Sequence, residues 1–185
     1  PLAISVVGTD TISALAVGCP VVVKSHPRHA QTCQLLADLV NQAKRESNMP
    51  DGCFQLVHGE SHGVSTALVS HPKTACVAFT GSLQGGKALF KVANSRLSPI
   101  PFHAEMGSLN PVFGLPFALK EKGDKLIRAY IDAVNLFAGQ MCTKPGALVI
   151  LEESFDEIFE QSLLDSVLKN ESLSMLNSDV LQSYE

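Results

Sequence analysis

No apolar stretch in this chain approaches the ~18 to 20 uncharged residues of a membrane span. The nearest, Thr11 to Val23, is interrupted by Gly18 and Pro20 and closed by Lys24, so a membrane protein is excluded. Long runs of like charge, internal repeats and low-complexity segments are also missing, which leaves an ordinary soluble globular chain. The chain opens at Pro1 with neither a basic leader nor an initiator methionine, which predicts no secretory signal and a first residue that need not be the gene's first. The five cysteines (Cys19, Cys33, Cys53, Cys76 and Cys142) are odd in number, contain no CxxC pair and mostly lie within apolar runs. They predict reduced thiols and a cytoplasmic location rather than a disulfide scaffold.

Metal chemistry is absent from the motifs as well. His103-Ala104-Glu105 fits the H-x-E element of zinc deaminases, but no later P-C-x-x-C supplies the two thiolates those sites need. His58 and His62 are four residues apart without an HExxH, and Gly59 and Gly63 argue against a helix through the pair. The expectation is no metal. The net charge of −4 is unevenly spread: residues 1 to 100 carry eight Lys+Arg against five Asp+Glu, and residues 101 to 185 carry six against thirteen. A front half at +3 suits an anionic small molecule such as a dinucleotide, yet is far short of the concentrated basic face of a nucleic-acid binder.

What is present is a length of 185 residues with 45% hydrophobic residues, enough for one good core or for one domain plus part of another. Short β-branched runs alternate with segments of helical period, which reads as βαβα and predicts an α/β fold. Strands are predicted at Pro20 to Lys24, Phe54 to Val57, Ala75 to Phe79, Ile100 to Ala104 and Ala147 to Leu151, apolar enough to be covered on both faces. Gln31 to Arg45 predicts a helix with Leu35, Leu36, Leu39, Val40 and Ala43 on its apolar stripe, and Asp124 to Ala138 another with Leu126, Ile127, Tyr130, Ile131 and Val134. Lys87 to Ala93 is also helix-like. Ser154 to Glu157 matches a capping box ahead of Ile158, Phe159, Leu163, Val167 and Leu168, and the Ser/Asn-rich end after Lys169 reads as loop. A boundary is expected near Pro99 to His103, before the loop-rich Gly107 to Gly123.

Three places could carry chemistry. Phe79-Thr80-Gly81-Ser82 leaves an apolar strand for a helix; free N–H groups and the helix dipole at such a turn hold phosphates, and Gly85-Gly86 allows close approach. The same residues also suit an ordinary βα turn, and neither GxGxxG nor a Walker lysine pattern accompanies them. Cys142 lies in turn chemistry, between Gly139-Gln140 and Thr143-Lys144-Pro145-Gly146, so it is expected to be accessible. Lys144 and nearby N–H groups could stabilise its thiolate, or it is a loop cysteine without a role. Glu105 ends an apolar strand before a Gly turn. Half-buried among apolar neighbours, it could serve as a general base; otherwise it caps the next segment.

Four segments in one order resemble the aldehyde dehydrogenase superfamily: Pro20-Val21-Val22-Val23-Lys24, Phe79-Thr80-Gly81-Ser82, Ala104-Glu105-Met106-Gly107-Ser108-Leu109-Asn110-Pro111, and Gly139-Gln140-Met141-Cys142. The match covers about Pro1 to Glu153, and Glu105 precedes Cys142 by 37 residues, a few more than is usual there. The resemblance implies an incomplete open parallel sheet of Rossmann-like type over residues 1–100, part of an NAD(P)-binding domain, and the start of a second α/β catalytic domain over 101–185. It implies Cys142 as the nucleophile that attacks an aldehyde carbonyl, hydride transfer from the adduct to the nicotinamide, and Glu105 activating water to release the acid. The Cys142 N–H would form part of the oxyanion hole. Lys24 is implied at the adenine-side ribose, Ser82 and Gly85 at the pyrophosphate turn, Met106 beside them, and Gly59 under the adenosine half.

Where NAD-preferring members usually carry a ribose-binding glutamate, three residues after the lysine, this chain has Pro27, with Arg28 beside it. The acidic clash with a 2′-phosphate is therefore missing, and NADP is expected to be accepted alongside NAD, with Arg28 or His26 at the phosphate. Within the superfamily, Glu105 to Phe113 and Ala138 to Gly146 look most like the 2,5-dioxovalerate (α-ketoglutarate semialdehyde) dehydrogenases, and the bacterial fatty aldehyde dehydrogenase is similar too. The expected partner is a small aldehyde, with neither nucleic acid nor membrane, and the parent is expected to be a homo-oligomer. The family's oxyanion asparagine would lie just before Pro1, and its ExFGP motif does not occur here, so these 185 residues alone are expected to have no useful turnover. The competing reading from another class is a non-catalytic nucleotide-binding or structural module of the same fold.

Overall fold

The structure is a computed structural model and describes residues 8–154, 157–169 and 173–184. It forms two compact units, Pro1–Met106 and Gly107–Glu185. The class is α/β, and every ladder among the described residues is parallel.

In the first unit, α1 (Thr9–Ala16) leads into β1 (Val21–Lys24), followed by α2 (Ala30–Glu46) and β2 (Phe54–Val57). Gly18, at φ 81°, ends α1: its N–H bonds to Leu15 O at 3.0 Å, and the Cys19 N–H reaches back to Ala14 O at 2.9 Å. That double bond to the last turn needs a left-handed residue, which glycine supplies without steric cost. Asn48 (φ 51°) closes α2 in the same way, with the Met49 N–H on Lys44 O at 3.0 Å. β1 and β2 pair in register from Val21↔Phe54 to Lys24↔Val57, and α2 covers them through Cys33, Ala37 and Phe54, each 1% exposed.

The extent of α2 matches the periodicity, but of the expected apolar stripe Val40 joins the buried seam while Leu35 and Leu39 do not. Leu35 and Leu39 are 60% and 54% exposed, and the seam runs through Cys33, Ala37 and Val40. Small side chains let a helix approach a sheet closely, so that face wins the contact although it is the less hydrophobic one.

α3 (His62–Ser70), β3 (Val77–Thr80), α4 (Leu83–Asn94) and β4 (Phe102–Glu105) complete the unit. α3 starts at His62 and leaves His58 outside, so the two imidazoles share no helix. β3 and β4 pair from Val77↔Phe102 to Thr80↔Glu105. Their burial alternates residue by residue, so within this chain they are covered on one face and not on both. Phe102 anchors that face, stacked on Phe79 at 6.2 Å and edge-on to Phe90 at 5.8 Å. The α3 to β3 connection is tied down by Arg96, whose guanidinium donates to Val69 O at 3.0 Å, Thr74 O at 2.9 Å and Pro72 O at 3.4 Å.

In the second unit, β5 (Pro111–Gly114) pairs with β6 (Ala147–Ile150), from Pro111↔Ala147 to Gly114↔Ile150. α5 (Pro116–Asn135) lies between them in sequence, and α6 (Glu157–Leu168) and α7 (Ser178–Tyr184) follow. The stretch read as loop thus holds a strand and two helical turns. Pro111 opens the strand, where its missing N–H is tolerated, and Pro116 sits in the first turn of α5, where it favours rather than breaks a helix. The core is Ile127, Ile131 and Phe159, with Leu119, Tyr130, Leu148, Ile150 and Leu163 packed against it. Of the expected α6 face, Val167 and Leu168 are exposed. The Ser154 capping box runs through Phe155 and Asp156, which lie outside the described residues. α7 forms where the tail read as loop, capped by Asn177, whose side chain accepts from the Val180 N–H at 3.0 Å.

Candidate active site

In a parallel sheet, ligands gather at the carboxyl ends of the strands, where loops leave for the next helix. At the ends of β1 and β2, Lys24 is the last residue of β1, and the Ser25 N–H extends the ladder to Val57 O at 2.9 Å. Ser25 is 1% exposed. Its Oγ lies 2.7 Å from His58 Nδ1, and His58 Nε2 lies 2.8 Å from Gln34 Oε1. The amide oxygen can only accept, so Nε2 carries a proton, and in the neutral ring Nδ1 accepts from the serine. This chain of three side chains joins β1, β2 and α2.

Beyond Ser25, His26 turns the backbone into a short 3-10 helix, Pro27–His29, by accepting the Arg28 N–H on Nδ1 at 3.2 Å. Partial burial, with the positive charges of Lys24, His29 and Arg28 nearby, holds the His26 pKa below its ordinary 6.5. Arg28 is exposed on the same turn, and no carboxylate occurs between Lys24 and His29. Gly59 follows His58, and a Cβ there would lie 2.4 Å from Val64 Cγ2 on α3. Lys24, His26, Pro27, Arg28 and Gly59 thus share one strand-end region.

The ends of β3 and β4 assemble a second group. Ser82 caps α4, its Oγ accepting the Gly85 N–H at 3.1 Å. The Gly81 N–H donates to Glu105 O at 3.1 Å, so the turn into α4 is bonded to the last residue of β4. Met106 then lies over the first turn of the helix: a Cβ on buried Gly86 would sit 2.3 Å from its sulfur. Ser82, Gly85, Glu105 and Met106 are therefore neighbours, and Gly86 is where α4 meets the Met106 side chain. The half-burial expected of Glu105 is not found, for its side chain is exposed. Strand residues alternate faces, and Phe102 and Ala104 occupy the covered one.

Cys142 belongs to the second unit. Its side chain is exposed, in the turn that enters β6. Three left-handed residues precede it, Phe137 (φ 53°), Ala138 (φ 56°) and Gly139 (φ 70°), a costly conformation for the two with a Cβ. Gln140 donates from its side chain to Phe137 O at 2.8 Å and accepts the Leu176 N–H at 2.8 Å. The Cys142 carbonyl accepts from the Ser108 hydroxyl and from Asn110 Nδ2, the latter at 2.7 Å. Asn110 also donates to Lys144 O at 2.9 Å, and the Gly146 N–H to Leu109 O at 2.7 Å. Sequence reasoning did not single out Ser108 and Asn110, because their partners lie 34 and 32 residues away. The one local signal was an asparagine before a proline at a strand start.

Among the described residues no group of three or more His, Cys, Asp and Glu could hold a metal ion. No helix among them is long and apolar enough to cross a membrane.

A family model described as the aldehyde dehydrogenase family matches residues 1–176. Alpha-ketoglutaric semialdehyde dehydrogenase 2 of Azospirillum brasilense is 42% identical over 184 residues, covering 100% of this chain and 35% of that protein. The alpha-ketoglutaric semialdehyde dehydrogenase of Acinetobacter baylyi is 42% identical over 186 residues, with the same coverages. The chain therefore spans about a third of the length of these curated relatives. Among solved structures, a lactaldehyde dehydrogenase superposes with a TM-score of 0.71 at 22% identity, over 87% of this chain and 32% of that one. The glyceraldehyde-3-phosphate dehydrogenase GapN of Methanocaldococcus jannaschii, complexed with NADP, does so with a TM-score of 0.68 at 24% identity, over 84% and 32%. At such identities the likeness speaks for the fold.

Proposed function

The chain belongs to the aldehyde dehydrogenase family, and we propose on that premise that it is the part of an NAD(P)-dependent enzyme that carries the cofactor turn, the base and the nucleophile. The substrate class is an aldehyde oxidised to a carboxylic acid. The observation that carries this reading is the exposed Cys142 on a turn whose main chain is held at three carbonyls and amides, in a chain 42% identical to two α-ketoglutaric semialdehyde dehydrogenases. Those relatives make 2,5-dioxovalerate the first substrate to try. Residues 1–100 are assigned to the cofactor-binding domain and 101–185 to the catalytic one, and a cytoplasmic homo-oligomer is the expected setting.

The residues present fit a dinucleotide by the chemistry of their donors. The Gly85 N–H in the first turn of α4 is taken by Ser82 Oγ, but the earlier N–H groups of that turn have no intrahelical acceptor and lie at the carboxyl end of β3, where a pyrophosphate is favoured. Ser82 shapes that turn. On this reading Lys24 would supply a cation for the adenine-side ribose, Gly59 would admit the adenosine, and Arg28 and His26 would meet a 2′-phosphate, supported by a segment without carboxylates between Lys24 and His29. When bound, NAD(P) supplies the hydride acceptor.

The protein's own steps follow from ordinary thiol chemistry. The Cys142 thiolate attacks the aldehyde carbon, and the Cys142 N–H stabilises the oxyanion. Loss of hydride leaves a thioester on Cys142. Glu105 then takes a proton from water, which attacks the thioester, expels the thiolate and releases the acid. The test uses the full natural polypeptide that carries this sequence, with 2,5-dioxovalerate and NADP. Cys142→Ser should abolish reduced-cofactor formation, and Glu105→Gln should give a single burst of it without turnover. No reduced-cofactor formation by the unmutated polypeptide would favour the non-catalytic module, and unchanged turnover in Cys142→Ser would remove Cys142 as the nucleophile.

A further inference from the structure

A sulfur nucleophile goes where its main chain puts it, and the main chain at Cys142 is gripped by side chains that the proposed chemistry leaves unused. Asn110 has φ 48°, a left-handed conformation that asparagine tolerates better than most residues. Its amide NH2 has two hydrogens to give, and two carbonyls of the nucleophile turn take them, Cys142 O at 2.7 Å and Lys144 O at 2.9 Å. The same nitrogen lies 2.9 Å from Ser108 Oγ, and the Ser108 hydroxyl itself donates to Cys142 O. At the far end of the turn, the Gly146 N–H donates to Leu109 O at 2.7 Å. The segment Ser108 to Asn110, just before β5, thus clasps the turn before β6 at both ends.

From this geometry we infer that Asn110, backed by Ser108, is a positioning residue for Cys142; the inference rests on reading Cys142 as the nucleophile. With the Cys142 carbonyl pinned by two donors, the peptide plane that follows Cys142 is fixed in place. The Cα from which the thiol projects is then held before substrate arrives. Such preorganisation keeps attacking atom and oxyanion donor in register, and displacements of the order of 1 Å in such settings cost about a hundredfold in rate. The costly left-handed run Phe137 to Gly139 ahead of the turn is held separately, by the Gln140 side chain and N–H on Phe137 O at 2.8 and 3.2 Å, so the nucleophile turn is tied on both sides.

The test uses the full natural polypeptide and Asn110→Gly, which removes the amide while accepting the positive φ. Its readouts are kcat and KM for the aldehyde, NADP affinity, and iodoacetamide labelling of Cys142 against the exposed Cys19 and Cys76 as internal references. The expected result is kcat lower by about tenfold or more, KM and NADP affinity within about twofold, and Cys142 labelling reduced to the rate of the two reference thiols. Ser108→Ala should show a smaller loss of the same kind, and Ser108→Thr, which keeps the hydroxyl, should restore it. A folded Asn110→Gly with wild-type kcat and labelling overturns the inference. Should that variant fail to fold, Ser108→Ala with unchanged kcat and labelling overturns it equally. Failure of the underlying reading is separate: Cys142→Ser would then retain turnover, whatever happens at position 110.

Discussion

Gly146 to alanine is the substitution whose outcome the geometry constrains most tightly. A Cβ at 146 would lie 2.4 Å from the Leu109 carbonyl oxygen and 3.3 Å from its carbonyl carbon. The obstacle is main chain, so no rotamer change relieves it, and the two segments must part by about 1 Å to reach ordinary van der Waals contact. That movement breaks or lengthens the 2.7 Å bond from the Gly146 N–H to Leu109 O, a loss of about 1 kcal/mol. Strain from overpacking adds about 1 to 3 kcal/mol. Alanine returns about 0.4 to 1 kcal/mol by restricting the unfolded chain, so the net expectation is destabilisation by about 1 to 3.6 kcal/mol. The matched control is Gly123→Ala, directly after the kink at Lys122 in α5, where nothing lies within 4 Å of the added Cβ; it should be neutral or mildly stabilising. Both are measured by urea denaturation, with iodoacetamide labelling of Cys142 followed in parallel. If Gly146→Ala matches wild type in midpoint and labelling rate, the close approach of the two turns is wrong, and with it the idea that Leu109 and its neighbours hold the nucleophile.

Ser82→Ala removes the cap of α4 and should cost about 1 kcal/mol by denaturation, with NADP and NAD affinity weakened alike because the turn that receives the pyrophosphate loosens. Arg96→Ala strips the carbonyls of Val69 and Thr74 of a charged donor and should destabilise by about 2 to 3 kcal/mol; Arg96→Lys, lacking the planar fork, should recover only part of it, as a melting series will register. His26 carries a pH signature: burial and neighbouring cations lower its pKa from 6.5, so between the lowered value and 6.5 the unfolded chain binds more protons than the folded one. Its contribution to stability is complete above pH 6.5 and is lost as pH falls through the folded value. A 2′-phosphate rewards the protonated ring, so the preference for NADP over NAD should grow as pH falls below 6.5, and His26→Asn should flatten both trends in calorimetric titrations.

The sequence by itself determined the α/β class, the strands β1, β2 and β6, the extents of α2 and α4 to within a turn or so, and the residue types at the proposed site, because those signals repeat every two or three to four residues. Short range also explains its errors. Gly107 to Gly123 read as loop-rich, yet Pro111 and Pro116 within it are a strand start and a helix start. Only the tertiary structure decided which stripe of α2 is buried, since Cys33 and Ala37 prevail over Leu35 and Leu39 through closeness to Phe54 and not through hydrophobicity. It alone placed Glu105 on the exposed face of β4, joined Ser25, His58 and Gln34, and set Ser108 and Asn110 on the carbonyl of Cys142. Those contacts bridge 24 to 34 residues, and no periodic pattern encodes a hydrogen bond whose two ends meet only after the chain has closed on itself.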